Sequence, residues 1–368
     1  MRKDWEYKKW ADVLTIINGK NQKAVESIDG TYPIYGSGGI MGYANDWLCP
    51  ENCTIIGRKG NINKPIFVES KFWNVDTAFG LNSNQNLLAS KYLYYFCLNY
   101  DFNRHNKAVT IPSLTKVDLL KIEMPLPPKP TQLAIVAELD KINELIQLKK
   151  QQLKDYDQLA QSIFYEMFGD PVENEKGWEV KKLGEICDIR DGTHDSPKYV
   201  EHSDYLLITS KNIENNFISF ENVNYITEED FLRINKRSKV DDGDIIMPMI
   251  GTIGNPIIVK LVNNINFAIK NVALIKFYST SSVINYYLQS LMKSSSFEKD
   301  ITRFHKGGTQ KFIALGTIRN FKIPLPPLPL QQQFAARIEA IERQKQQVSE
   351  TIKDLETLHA SRMQYWFD

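Results

Sequence analysis

Two stretches of this chain carry the same polar spacing. Arg104, Lys107 and Thr110 stand three residues apart, and Arg303, Lys306 and Thr309 repeat the pattern 199 positions later, with Gln310 following. Arg and Lys neutralise phosphates, and Thr and Gln hydrogen-bond phosphate oxygens or base edges. The recurrence predicts a shared task, phosphate contact; a common loop fold with solvated charges would give the same pattern. Arg58, Lys59 and Asn61 surround Gly60, and Ser210, Lys211 and Asn212 follow Thr209. Glycine lets backbone approach a ligand closely, and these side-chain types reach base edges. Both groups lie in stretches that do not match each other, so we read them as candidate base readers, against the alternative of ordinary solvated turns. A fifth stretch of this kind, Tyr35–Tyr43, contains four glycines.

Catalytic signatures are missing. Gly57–Lys64 lacks the Gly-Lys-Ser/Thr ending of a nucleotide-binding loop. Asp170-Pro171-Val172 and Asn255-Pro256-Ile257 fail the Asn/Asp-Pro-Pro-Tyr/Phe motif of amino-methyltransferases at the third position. His194, in Asp191-Gly192-Thr193-His194-Asp195, suggests a site, but the matching stretch Asn18-Gly19-Lys20-Asn21-Gln22 has no histidine. We read it as a polar loop residue. The five histidines show no metal-ligand spacing. Cys49, Cys53, Cys97 and Cys187 read as buried free thiols of a reducing, cytoplasmic compartment.

Composition sets the outer bounds. The 368 residues are 42% hydrophobic and 11% aromatic, enough for real cores. No apolar run approaches the roughly 18 residues a membrane helix needs. Charge behind Met1 is not followed by an apolar stretch, so no secretory signal is expected. Net charge is +1. A nucleic-acid binder usually carries a basic excess, so any positive surface here must be local.

The elements that must position these residues come from an internal repeat. Pro125-Leu126-Pro127-Pro128 recurs as Pro324-Leu325-Pro326-Pro327, and the same spacing matches Gln132 to Gln331 and Phe168 to Phe367 without a gap. At the front, Trp5-Glu6-Tyr7-Lys8-Lys9 resembles Trp178-Glu179-Val180-Lys181-Lys182, and Gly19 falls on Gly192. Ends match while middles differ. Pro127–Pro130 is expected to be extended, with Thr131 as the N-cap of a long helix. Ile135, Leu139, Ile142, Ile146, Leu153, Tyr156, Ala160, Ile163 and Met167 form an a/d seam. Phe334, Ile338, Ile341, Val348, Ile352, Leu355 and Trp366 form a second, with polar breaks at Lys345, His359 and Arg362. A helix spanning roughly 55 Å cannot bury a lone stripe by itself. The two stripes predict an antiparallel coiled coil with a quasi-twofold repeat; packing of each helix on its own globular domain is the alternative.

The predicted fold class is therefore mixed α/β: domains 1–124 and 171–323, each followed by a Pro hinge and spacer helix, 125–170 and 324–368. Strands are expected at Thr54–Gly57, Pro65–Val68, Asp244–Met247 and Ile257–Val259, and helices at Ser90–Leu98 and Ser282–Met292.

Two variable domains, each leading through Pro-Leu-Pro-Pro-x-x-x-Gln into a long helix, resemble the type I restriction–modification specificity subunit. Trp5, Pro125–Pro128, Gln132, Trp178, Gly307–Gln310, Pro324–Pro327 and Gln331 carry the resemblance, which spans essentially the whole chain. It implies two target recognition domains that each read half of a bipartite double-stranded DNA site. It implies helices that set the spacing and dock two methyltransferase subunits, with restriction subunits joining them. S-adenosylmethionine, ATP and Mg would belong to those partners, with no cofactor on this chain. The duplex hides adenine from an enzyme, so the partner must flip it while this chain grips the flanks. The competing reading is a coiled-coil adaptor whose globular ends bind proteins. A third is an enzyme with a site between the halves.

Overall fold

The computed structural model describes residues 5–106, 110–214, 217–250, 253–261, 265–302 and 312–368. The chain divides into two compact units, Met1–Gln151 with Ser349–Asp368, and Gln152–Val348.

Unit 1 is built on an antiparallel four-stranded sheet ordered Leu14–Asn18, Ala78–Ser83, Cys53–Gly57, Ile66–Val68. Cys53–Gly57 is buried along its length, and its Thr54-Ile55-Ile56 run is the β-branched sequence a central strand favours. A hairpin, Tyr32–Gly36 with Gly39–Ala44, joins Trp73–Asn74 in a second sheet. The helix Ser90–Asn99 packs Tyr92, Tyr95 and Phe96 into a core shared with Trp10 and Phe102.

Unit 2 repeats the plan with insertions. Cys187–Asp191, Val272–Phe277, Ile245–Pro248 and Ile257–Ile258 form the corresponding sheet. A second four-stranded sheet, Tyr199–Val200, Asn224–Ile226, Tyr205–Ile208 and Asn266–Ile269, has no four-stranded counterpart among the described residues of unit 1. The helix Glu228–Ser238 lies beside it, capped by the Thr227 hydroxyl.

Each unit closes by pairing its front strand with its Pro-containing strand. Glu6–Lys9 runs antiparallel to Glu123–Leu126, with Tyr7 opposite Pro125. Glu179–Lys182 runs antiparallel to Lys322–Leu325, with Val180 opposite Pro324. Proline survives here because each pair is only two strands wide, which leaves an edge where no N–H is required. The matched glycines sit where backbone crosses backbone: a Cβ on Gly19 would lie 1.8 Å from the Val75 carbonyl oxygen, and one on Gly192 2.3 Å from that of Ile269.

The long helices run Lys129–Phe168 and Leu328–Phe367. The first begins earlier than the sequence suggested. Pro130 and Thr131 lie inside the first turn, and the Pro128 carbonyl accepts from Thr131 N and Gln132 N. First-turn N–H groups have no intrahelical acceptor, so proline costs nothing there, and Thr131 is not the N-cap. The helix expected from Ser282 begins at Asn285, because the Ser282 carbonyl and Ile284 N are both bonded to Gln331.

The helices pair antiparallel within each unit. In unit 1, Glu138 binds Arg362 and Lys150 lies 2.8 Å from Glu356. In unit 2, Lys345 lies 2.7 Å from Asp157, and Phe334 packs against Phe164 and Phe168. Ile135, Leu139, Ile142 and Ile146 are buried, as are Phe334, Ile338, Ile341, Val348 and Ile352. The seam also merges with the globular cores: Ile135, Leu139 and Met363 join that of unit 1, and Phe164 and Phe168 that of unit 2. Paired helices and helix-on-domain packing thus occur together.

Candidate nucleic-acid interface

In unit 1 the loop after Cys53–Gly57 presents Arg58, Lys59 and Asn61, all exposed. Its backbone is held from three sides. Arg58 N donates to the Thr77 carbonyl at 2.8 Å, Gly60 N to that of Pro112 at 3.0 Å, and Leu114 N to that of Arg58 at 2.9 Å. Gly60 has φ +79°, a conformation that favours glycine. Lys59 pairs with Ser113 in an isolated bridge. A rigid loop of this kind fixes where its cations point, and the Arg58 guanidinium lies 5.8 Å from the Phe79 ring centroid.

The same loop reaches the Arg104 turn. Asn63 Nδ2 donates to Asp101 at 3.0 Å, and Phe102 N donates to Asn63 Oδ1 at 2.8 Å. Arg104, exposed on the short 3-10 helix Phe102–His105, lies 5.9 Å from the Tyr100 ring. The fold therefore gathers Arg58, Lys59, Asn61, Arg104 and Thr110 on neighbouring loops. Lys107 lies outside the described residues, as do Arg303, Lys306, Thr309 and Gln310. The glycine-rich stretch Tyr35–Tyr43 is a hairpin tip beside them, with the Ser37 hydroxyl 3.5 Å from the Lys59 carbonyl and Ile40 and Met41 exposed.

Unit 2 has the same backbone frame with different side chains. Met249 N donates to the Asn271 carbonyl at 3.3 Å, Ile313 N donates to that of Met249 at 3.0 Å, and Ile250 bridges Phe312. Met249 and Ile250 thus occupy the places of Arg58 and Lys59. Ser210, Lys211 and Asn212 form a separate 3-10 turn after Tyr205–Ile208. Lys211 is exposed, whereas Asn212 is buried and its Oδ1 accepts from Thr209 N at 3.0 Å and Thr209 Oγ1 at 2.9 Å. Asn212 shapes the turn that presents Lys211.

His194, expected to be a polar loop residue, belongs to a cluster whose helix members the sequence did not connect to it. The buried Asp191 carboxylate receives His194 Nε2 at 2.7 Å and pairs with Arg237. His194 Nδ1 is 2.9 Å from Asn271 Oδ1. Arg233 binds Asp230 at 2.6 Å, with Asp195 3.8 Å away. A hollow of about 300 Å³ lies among these groups. The signal was in the helix Glu228–Ser238, acidic in its first turn and basic in its last, which reads as ordinary helix-dipole pairing until the loop opposite is seen.

The four cysteines are buried and free. Among the described residues, no group of three or more His, Cys, Asp or Glu could hold a metal ion, and no helix is long and apolar enough to cross a membrane.

The family model of the type I restriction modification DNA specificity domain matches residues 2–155 and 175–357. The type I restriction enzyme MjaVIII specificity subunit of Methanocaldococcus jannaschii is 25% identical over 396 residues, covering 96% of this chain and 92% of that protein. The putative type I restriction enzyme specificity subunit S.HindORF215P of Haemophilus influenzae is 22% identical over 364 residues, covering 94% and 89%. The crystal structure of the type I restriction–modification system S subunit from M. genitalium shares the fold, with a TM-score of 0.61 over 99% of this chain and 96% of that chain at 15% identity. The chain belongs to the type I restriction–modification DNA specificity family. Its role is non-catalytic: it supplies DNA target recognition to a type I complex.

Proposed function

We propose that this chain directs a type I complex to a bipartite DNA site, with residues 1–124 reading one half and 171–323 the other. The observation that carries the reading is one frame with two sets of side chains: matched backbone bonds hold Arg58 and Lys59 in unit 1 but Met249 and Ile250 in unit 2. A repeated frame with unlike contact residues is what two different half-sites require. In this reading Arg104, Lys107, Thr110, Arg303, Lys306, Thr309 and Gln310 hold phosphates. Arg58, Lys59, Asn61, Ser210 and Lys211 reach base edges, with Asn212 behind them.

Residues 125–170 and 324–368 set the distance between half-sites and dock two methyltransferase subunits, much as dimer geometry fixes operator spacing. Those partners bring S-adenosylmethionine and flip the target adenine, while restriction subunits bring ATP and Mg. The complex works in the cytoplasm.

Methylome sequencing of cells with and without this gene tests the reading. Deletion removes one split methyladenine motif; if every motif survives, the reading fails. Exchanging residues 1–124 for the equivalent region of a relative changes one half of the motif, and a change in both halves refutes the modular assignment.

A further inference from the structure

We infer that Arg233 and Arg237 read base edges in the half-site assigned to residues 171–323, held in register by Asp191, His194 and Asp230. This rests on the DNA-recognition reading above and adds a site to it.

At the frame site where unit 1 offers Arg58 and Lys59, unit 2 offers the apolar Met249 and Ile250. Polar groups return one bond away. Met249 donates to the Asn271 carbonyl, and the Asn271 side chain meets His194. Lys270, the next residue back, bonds through its backbone N to the Ile208 carbonyl, just ahead of the Ser210–Asn212 turn. The Arg233–Arg237 cluster is therefore tied through Asn271 and Lys270 to the Met249 site and to the strand that leads into the turn presenting Lys211.

Arg233 and Arg237 are four residues apart on the helix Glu228–Ser238 and project from one face. Their side chains are 50% and 67% exposed, while the Asp191 side chain behind them is 8% exposed. Each guanidinium carries five N–H donors, of which a buttressing carboxylate engages one or two. Both arginines line the hollow. Fixing an arginine against a carboxylate removes rotamer freedom before binding, which favours a directed bidentate contact.

Three carboxylates, Asp191, Asp195 and Asp230, stand among the cations. They outnumber the two arginines, so no net positive charge remains to attract a phosphate, while the N–H donors keep their geometry. Guanine O6 and N7 are neutral acceptors that suit such a fork. The cluster also has no equivalent in unit 1, where Asn18, Lys20 and Asn21 occupy the places of Asp191, Thr193 and His194. It thus belongs to the part that differs between half-sites.

The test is methylome sequencing in cells carrying the full complex with Arg233→Gln, Arg237→Gln or Asp191→Asn. Discrimination at one base pair of one half should fall about tenfold or more for the arginine variants, and less for Asp191→Asn at the position lost in Arg237→Gln. The other half and the gap should be unchanged, which also reports folding and assembly. An unaltered motif overturns the inference. If a variant abolishes methylation, the purified complex is titrated with duplexes altered one base pair at a time. Loss confined to one base pair supports the inference. Uniform loss with a salt dependence reduced by about one phosphate overturns it. A wild type that leaves no bipartite motif refutes the proposed function instead.

Discussion

Phe367 packs its ring on Tyr92, with centroids 5.2 Å apart. The second long helix therefore ends in the core of the unit that begins the chain. The mirrored contact is Phe168 on Tyr287 at 4.7 Å, in unit 2. Both tyrosines also donate to a hinge carbonyl, Tyr92 to Pro125 at 3.0 Å and Tyr287 to Pro324 at 2.8 Å. One joint of tyrosine, phenylalanine and proline is built twice.

Met363→Ala should destabilise unit 1 by about 2–4 kcal/mol through lost burial and a residual cavity, and Phe367→Ala, at a half-buried position, by less. Hydrogen exchange should quicken in Ser90–Asn99 and leave Asn285–Met292 unchanged. Equal loss of protection in both helices would contradict the assignment of residues 349–368 to unit 1.

Gln132 is fully buried: its Oε1 accepts from Ala89 N at 2.8 Å, and its Nε2 donates to the Leu87 and Pro127 carbonyls at 2.9 and 2.8 Å. Gln331 does the same with Ile284 N, Ser282 and Pro326. Replacing either by Leu strands buried groups that each cost about 1–3 kcal/mol unsatisfied. Urea midpoints should drop for both variants by similar amounts, since the joints are equivalent.

Gly19→Ala and Gly192→Ala should prevent stable folding of their units, because the added carbon would overlap a backbone carbonyl that cannot move aside. Gly316→Ala is the contrast. It lies in the helix Leu315–Arg319 with nothing within 4 Å of its Cβ position, so alanine should stabilise by about 0.5–1 kcal/mol. Thermal melting distinguishes all three.

Burial, helped by the nearby Lys345, lowers the Lys293 ammonium to about 8, against 10.5 in the ordinary state. The unfolded chain thus binds this proton more tightly than the folded one. The penalty on folding is complete below pH 8, shrinks as pH rises toward 10.5, and vanishes above it. Lys293→Met should therefore be more stable than wild type at pH 7, with the difference closing by pH 10.5. Comparing the two proteins at each pH removes the opposing titration of buried thiols and tyrosines. A gap that does not depend on pH would refute the assignment.

Arg104→Ala and Lys107→Ala should weaken DNA binding by the complex to all sequences alike and lower the salt slope by about one each. Filter binding across a salt series reads both effects; a change in motif would mean base contact instead.

Repetition of Gln132, Pro125 and Gly19 was plain in the sequence because each fills a backbone site that accepts one residue type. Buried carbonyls and N–H groups at fixed spacing need a carboxamide of that length, and a backbone crossing excludes a Cβ. Heptad spacing likewise exposed the helices, whose apolar stripes must be buried somewhere. The cluster of Asp191, His194, Arg233 and Arg237 was hidden, because its members come from a loop and a helix far apart in the chain.

By itself, the sequence determined a twice-built frame, two long helices and unlike middles, all of them local or periodic properties. Only the tertiary structure decided that Phe367, not Phe168, closes on Tyr92. The repeat makes the two phenylalanines interchangeable as sequence. The antiparallel pairing expected from the two apolar stripes is present in Glu138–Arg362 and Asp157–Lys345, and the packing it brings about is what tells them apart.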